Sequence, residues 1–470
     1  MAGEKTRAAA IVDELSARLA AGLYKIGERM PSVRRAAVEH GVSKNTMAEA
    51  YDRLVGQGLL QARAGSGYYV SRRNVPATSA GSKNIVAAVD IVSLLREQLD
   101  RHYEVRPGDG RPPSSWMEGS ELRRQFAGFK TAKAQAEDFG YGSTKGFEPL
   151  RDRLRLMLMD RSIRADPDGI LLTHGANHGM DLIIRHLLEP GDTVFVDDPG
   201  YYPLFAKLAL AKVEAVGIRR TPDGPDLDDL KRKLATHRPK LFFTQSQAHN
   251  PTGGSLEPPV AFGLLQAAEQ WGFLIVENDA FADIVPPAFS RLAALDQLNR
   301  VLYLGTFSKT LSASLRCGFI AGHPSLIGPL TDMKILTCVA TSDHVERFVF
   351  NLIQSGQYLR HLRRLRSRVE TANAATVTEL EAIGLGVRTS RVPGFYVWAE
   401  LDPALDEIAV CRAAAEESIF LAPGSVFSPN RAEPSPPAIR VNVAYGADPR
   451  LLAFLEKYVA GQPRHFQKPK

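Results

Sequence analysis

Lys309 and Arg316 stand seven residues apart in the stretch Tyr303-Leu-Gly-Thr-Phe-Ser-Lys-Thr-Leu-Ser-Ala-Ser-Leu-Arg316. A lysine amine taken out of water beside other charges is a nucleophile for a carbonyl compound. A guanidinium nearby suits a phosphate. Three further segments fit the same chemistry. Gly175-Ala-Asn-His178 is a small-residue turn ahead of an expected helix, Gly179–Leu188. Such a turn leaves backbone N–H groups free for a phosphate. Asp198-Pro-Gly-Tyr-Tyr202 offers an aromatic ring to a flat heterocycle, and His249-Asn-Pro-Thr-Gly253 places Asn250 to donate to a phenolic oxygen. Each segment alone is ordinary: a lone lysine is normally a surface charge, and Asn-Pro-Thr-Gly is normally a turn. Their weight comes from occurring together.

These segments follow short apolar runs, which must position them. Ile170-Leu-Leu-Thr, Thr193-Val-Phe-Val, Lys240-Leu-Phe-Phe-Thr, Phe273-Leu-Ile-Val and Val301-Leu-Tyr-Leu-Gly alternate with helical stretches. Continuous apolar runs between helices predict buried strands of a mainly parallel sheet, hence an α/β domain. In such sheets ligands bind beyond the carboxyl ends of the strands.

The first 75 residues follow another pattern. Ile11, Leu15 and Leu19 recur at helical spacing over 7–21. Ser32 is placed to cap a second helix, Val33–His40, and Ser43 to open a third over about 43–57, with Met47, Tyr51, Leu54 and Val55 on its buried stripe. Lys44, Asn45, Thr46 and Arg53 lie on its other face and first turn. Two short strands, Leu59–Arg63 and Tyr68–Ser71, predict a hairpin around Ala64-Gly65-Ser66-Gly67. A helix-turn-helix reads bases with the N-terminal residues of its second helix, and here those residues are polar and basic.

Charge is distributed unevenly. Residues 1–75 hold twelve Lys/Arg and seven Asp/Glu, a net of +5; the whole chain carries +6, so the rest carries 6 − 5 = +1. A basic excess confined to one small domain is the footprint of a nucleic-acid reader. No apolar run approaches the roughly 18 residues of a membrane span, and the N-terminus lacks a signal peptide's apolar core. Cys317, Cys338 and Cys411 are scattered, with no CxxC pair. Together these predict a cytoplasmic protein with no metal site.

The series Gly-Glu-Arg-Met-Pro-Ser-Val-Arg-Arg, Val-Ser-Lys-Asn-Thr-Met, Tyr-Asp-Arg-Leu and Gly-Ser-Gly-Tyr-Tyr-Val resembles the winged helix-turn-helix of GntR-family regulators. The resemblance implies DNA contacts from Arg34, Lys44, Thr46 and Arg63. Roughly residues 90–460 resemble fold-type I pyridoxal phosphate (PLP) enzymes of the aminotransferase group, with a smaller C-terminal α+β subdomain. That resemblance implies that Lys309 forms an aldimine with PLP. It implies a phosphate held by the backbone of Ala176 and Asn177 with Thr306, Ser308 and Arg316. Tyr201 would stack on the ring, Asn250 would meet its O3′, and Tyr141 would reach the phosphate of a partner subunit in a homodimer. Arg440, in Ala-Ile-Arg-Val-Asn-Val, would grip a ligand carboxylate, and Pro393-Gly-Phe-Tyr-Val-Trp398 would line the small subdomain.

One departure matters. The family places an acid under the pyridine nitrogen and a tyrosine three residues later. The spacing in Val276-Glu-Asn-Asp-Ala-Phe281 puts Asn278 and Phe281 there. Asn cannot stabilise a protonated ring nitrogen as a carboxylate does, and Asp279, the next strand residue, should point to the opposite face.

The whole chain resembles MocR-type members of the GntR family: a winged helix over 5–75, a linker over 76–89, an aminotransferase-like domain over 90–460 beginning with a helix near Asp90, and a disordered tail over 461–470. The resemblance implies a transcription regulator binding double-stranded DNA, with PLP, or an amine or amino acid joined to PLP, as effector. Two alternatives are a working aminotransferase with an appended DNA-binding domain and a DNA-binding dimer whose large domain only dimerises. Asn278 and Phe281 weigh against the first, Lys309 with Arg316 and Asn250 against the second.

Overall fold

The structure is a computed structural model that describes residues 7–20, 24, 27–56, 59–63, 66–71, 103–117, 140–285, 291–388, 393–431 and 435–459. The expected linker, the helix near Asp90, the wing tip at Ala64-Gly65 and the C-terminal tail lie outside them. The chain forms two compact units, Met1–Ala80 and Gly81–Lys470.

In the first unit α1 (Arg7–Ala20), α2 (Val33–Glu39) and α3 (Lys44–Gly56) precede a hairpin of β1 (Leu60–Arg63) and β2 (Gly67–Val70). Ser32 caps α2, its Oγ accepting from Arg35 N at 3.3 Å. Ser43 Oγ accepts from Thr46 N at 3.1 Å and starts α3. Ile11, Leu15, Met30, Met47, Tyr51, Leu54 and Leu60 share one core. The Tyr51 hydroxyl donates to Pro31 O at 3.0 Å, so the one polar atom of that buried ring is satisfied. Leu54 is fully buried. Leu54→Ala should cost about 2–5 kcal/mol, a large share of the stability of so small a core. An unfolding step of the first unit at lower temperature, with that of the large unit unshifted, is the expected result by calorimetry.

The second unit is built on eight strands: β3 (Ile170–Thr173), β4 (Thr193–Asp198), β5 (Glu214–Thr221), β6 (Gly224–Pro225), β7 (Pro239–Thr244), β8 (Leu274–Asn278), β9 (Val301–Thr306) and β10 (Gly318–Ala321), in the order β3-β10-β9-β8-β7-β4-β5-β6. The neighbours from β9 through β5 are parallel. β10 runs against both β3 and β9, and the short β6 against β5. Alternate strand residues enter two apolar layers. Phe195, Phe242 and Ile275 pack with helices Glu148–Met159, Pro258–Trp271 and Asp343–Gln354. Val194, Val196 and Val276 pack with Ala176–Leu187 and Tyr202–Leu210. Burial on both faces explains why the runs read as continuously apolar.

A smaller antiparallel sheet, β11 (Gly386–Arg388), β12 (Tyr396–Glu400), β13 (Ala422–Pro423) and β14 (Ala438–Asn442), has the order β11-β12-β14-β13. It packs on helices Gln357–Ala382, Glu407–Glu416 and Pro449–Val459.

Candidate functional site

Lys309 lies just past β9, half-buried, and its ammonium donates to Gly110 O. Burial, then the positive charge of Arg440, pulls its amine down to about 8, with Arg111 and Arg316 acting the same way and Asp109 against them. Such an amine is substantially neutral in mildly alkaline water, which is what a nucleophile requires.

Beside it the phosphate-type groups converge. Helix Ala176–Leu187 begins after Gly175, whose φ of +77° suits glycine. The first N–H groups of a helix, here Ala176 and Asn177, have no intrahelical acceptor. Arg316 crosses that turn: its Nη2 donates to His174 O at 2.8 Å and its Nη1 reaches Ser308 Oγ at 3.5 Å. A Cβ on Gly175 would sit 3.1 Å from Arg316 Nη2. Thr306 Oγ1 donates to Ser308 Oγ at 3.1 Å. Residues far apart in sequence thus form one cluster of donors.

A cavity is lined by Tyr201, Val196, Asp197, Gln245, His249 and Asn278, among others. Tyr201 caps the helix Tyr202–Leu210, whereas Tyr202 turns into the core against Phe427. Asn278 ends β8, is 8% exposed, and its Oδ1 is buried without a partner. Asp279 faces the other way: its Oδ2 accepts from Arg291 Nε at 2.6 Å and Tyr303 OH at 3.0 Å. Phe281 is buried against Phe395 and Tyr396. Behind the cavity Asp197 accepts from Arg220 Nη1 at 3.0 Å, Thr244 Oγ1 at 2.9 Å and Gln245 N at 3.2 Å. His249 Nε2 lies 3.4 Å from Asp197 Oδ2, and its Nδ1 is 2.8 Å from Thr252 Oγ1. Burial first, then Arg220, pushes the imidazole down to about 4 and keeps it neutral.

Arg440 comes from β14, 1% exposed, between the rings of Tyr396 and Phe427 at 4.7 and 5.0 Å. Its Nη1 donates to Asn250 Oδ1 at 2.9 Å and its Nη2 to Gly108 O at 2.5 Å, while Nε has no partner. The segment Gly108–Arg111 therefore runs past both cations. Gly110 O also accepts from Tyr396 OH at 2.8 Å, and Asn442 Nδ2 donates to Asp109 O and Arg111 O at 2.9 and 2.8 Å. Gly108 lies so close to the backbone that a Cβ there would meet Leu421 C at 2.6 Å.

Tyr141 is 86% exposed and stands apart from these contacts. On the first unit Arg34, Lys44 and Arg63 are exposed. Among the described residues Arg34 and Lys44 have no ion-pair partner, whereas Arg35 pairs with Glu39 at 2.8 Å and Arg53 with Glu49 at 2.6 Å. Thr46 Oγ1 lies 2.8 Å from the capping Ser43 Oγ. The Arg63 guanidinium rests on the Tyr69 ring at 4.3 Å.

Sequence reasoning missed Asp197, Arg220 and the Gly108–Arg111 segment, and gave no role of their own to His249 and Tyr396, which stand inside segments it did single out. A signal existed for Asp197, an acid inside an apolar run. Arg219-Arg220 reads as an ordinary surface pair. Among the described residues no helix is long and apolar enough to cross a membrane, and no group of three or more His, Cys, Asp or Glu is placed to hold a metal.

Residues 108–457 match the family described as aminotransferase class I and II, and residues 7–70 match the bacterial regulatory proteins of the gntR family. The HTH-type transcriptional regulator YdfD of Bacillus subtilis is 25% identical over 455 residues, covering 93% of this chain and 92% of that one. The probable rhizopine catabolism regulatory protein MocR of Rhizobium meliloti is 27% identical, covering 94% and 90%. Among solved structures, the α-aminoadipate aminotransferase LysN of Thermus thermophilus, complexed with N-(5′-phosphopyridoxyl)-L-leucine, superposes with a TM-score of 0.72 at 25% identity, covering 81% of this chain and 97% of that one. With both matches on one chain, and a lysine, an arginine and a helix N-terminus gathered at the strand ends, the protein belongs to the aminotransferase class I and II family and carries, over residues 7–70, a domain of the bacterial gntR type.

Proposed function

We propose that this protein is a DNA-binding transcriptional regulator whose large unit binds PLP and uses it, alone or joined to an amine or amino acid, to control DNA binding. The carrying observation is the union, on one chain, of a gntR-type reader displaying exposed Arg34 and Lys44 with a large unit in which the lowered amine of Lys309 stands among Arg440, Arg111 and Arg316. The residues fit the cofactor. Lys309 holds its carbonyl carbon. The N–H groups of Ala176 and Asn177, with Thr306, Ser308 and Arg316, hold its phosphate. Tyr201 covers the ring and Asn250 meets its phenolic oxygen. Bound PLP supplies an aldehyde that captures primary amines. Arg440 is a planar, buried fork suited to a carboxylate, which favours amino-acid effectors over simple amines. Titrating L-amino acids and simple amines into the protein with operator DNA present tests this reading. It fails if no amine or PLP changes DNA affinity.

The lowered amine carries its own expectation. Nucleophilic capture needs neutral lysine, and the neutral fraction rises with pH until the amine's pKa is passed. For a group near 8, the capture rate should rise about tenfold from pH 7 to 9 and then level off, while an ordinary lysine near 10.4 would keep accelerating. Stopped-flow absorbance after mixing with PLP distinguishes these outcomes.

The reader occupies residues 5–75, a linker 76–89 and the PLP unit 90–460, and the protein works in the cytoplasm. It acts as a homodimer in which Tyr141 completes the partner's phosphate site. Exposed apolar side chains support that assembly: Tyr141, with Leu336 83% and Val339 42% exposed close to the Thr341 backbone that Gly142 adjoins. A dimer also presents two winged helices to two half-sites. Sedimentation at micromolar concentration should give a single dimeric species.

A further inference from the structure

Among the described residues, the carboxylates on and beside β8 and the one lining the cavity all accept from other groups. Asp279 faces the layer opposite the cavity and is paired with Arg291 and Tyr303. Glu277, on that same face, accepts from the N–H groups of Leu292 and Ala293 at 3.0 and 2.7 Å and from Ser246 Oγ. Asp197 does line the cavity, but Arg220, Thr244 and Gln245 enclose it, and its charge is balanced by a guanidinium with no solvent exposure. His249 beside it is neutral. Among the described residues lining the cavity, His249 Nε2 and Asn278 Oδ1 are the buried side-chain polar atoms without a hydrogen-bond partner, and the first stands 3.4 Å from Asp197; the carboxamide of Asn278, at the end of β8, is the one with no charged group against it.

We infer that Asn278 meets the pyridine nitrogen of PLP and holds it as a neutral hydrogen-bond acceptor. This rests on the cavity being the PLP site. An amide offers two N–H donors and an acceptor oxygen but no charge. A protonated ring nitrogen would be a buried cation beside Tyr201, which already lies in the field of Arg440 and Arg316, while the carboxylate lining the cavity, Asp197, is balanced by Arg220; burial and like charge both oppose it. The unpartnered atom is Oδ1, an acceptor, so the amide must turn over to present an N–H; donation of that N–H to the nitrogen lone pair carries no charge cost. The oxygen and nitrogen of the amide exchange places by a simple flip. A neutral ring withdraws electrons weakly, so the Cα–H bond of a captured amino acid stays intact. The pocket then retains amines reversibly instead of turning them over, as suits a receptor.

The test is the ring nitrogen itself. Full-length protein is loaded with PLP carrying 15N in the ring, and its solid-state NMR shift is followed over roughly pH 6 to 9, the range in which a free group of this kind changes protonation. Wild type should show an unprotonated pyridine throughout, and Asn278→Asp should move the signal to the protonated position. In parallel, exchange of the L-alanine Cα proton with deuterium oxide should be at least about tenfold faster in the variant, equivalent to about 1.4 kcal/mol of barrier. A protonated signal in loaded wild type overturns this inference alone. A variant that binds PLP yet keeps the neutral signal shows that residue 278 does not meet the nitrogen, with the same consequence. A protein that takes up no PLP overturns both this inference and the functional reading beneath it.

Discussion

Lys309→Ala should abolish covalent retention of the cofactor. The purified variant is expected to lose the visible colour of the lysine-bound form, and borohydride should leave no cofactor on the chain. The donor cluster of Ala176, Asn177, Thr306, Ser308 and Arg316 survives the substitution, so PLP should still associate weakly and wash out on gel filtration. Removing the ammonium also releases Gly110 O, which keeps the Tyr396 hydroxyl as a donor at 2.8 Å. The backbone at Gly108–Arg111 therefore has other anchors, and the fold should persist. Peptide mapping of borohydride-reduced wild type decides the assignment. Label on another lysine would show that the amine at 309 is not the nucleophile.

Arg34→Ala and Lys44→Ala should each weaken operator binding by about 1–3 kcal/mol if they touch bases, roughly 5- to 150-fold. A residue contacting phosphate instead should lower the salt dependence by about one unit of slope while weakening all sequences alike. Arg53 provides the internal contrast. Its guanidinium is held by Glu49 one turn back, so Arg53→Ala should change affinity far less. A fragment of residues 76–470 should keep PLP and lose specific DNA binding. Fluorescence anisotropy at two salt concentrations measures all of these. Specific binding by that fragment would move the reader out of the first 75 residues.

Much of this architecture was legible because burial leaves a local trace. All five apolar runs became strands, since a strand covered on both faces must be apolar throughout. The caps at Ser32 and Ser43 were equally readable, because a cap is a local hydrogen bond. β10 was not: Gly-Phe-Ile-Ala is four residues long, and nothing local announces an antiparallel strand inserted between β3 and β9. The contacts around Arg440 were hidden for another reason. Its partners Asn250 and Gly108 lie 190 and 332 residues away, and periodicity carries no information on such pairs. The departure at Asn278 was visible as a residue type. That Asp279 and Asp197 are both held by arginines required coordinates.

The reversed strand also orders events in time. β3 ends at residue 173, but the strand beside it in the sheet is β10, ending at 321. Until that segment leaves the ribosome, Ile170–Thr173 has no neighbour, and the strand carrying the lysine's approach, β9, lacks one of its two. The winged helix closes from contacts within its first 70 residues. At about 5–20 residues per second of synthesis, the 250 residues between 71 and 321 take roughly 12–50 s. A nascent chain thus carries a folded winged helix long before its large sheet is complete, and the apolar β3 waits without its neighbour through that interval.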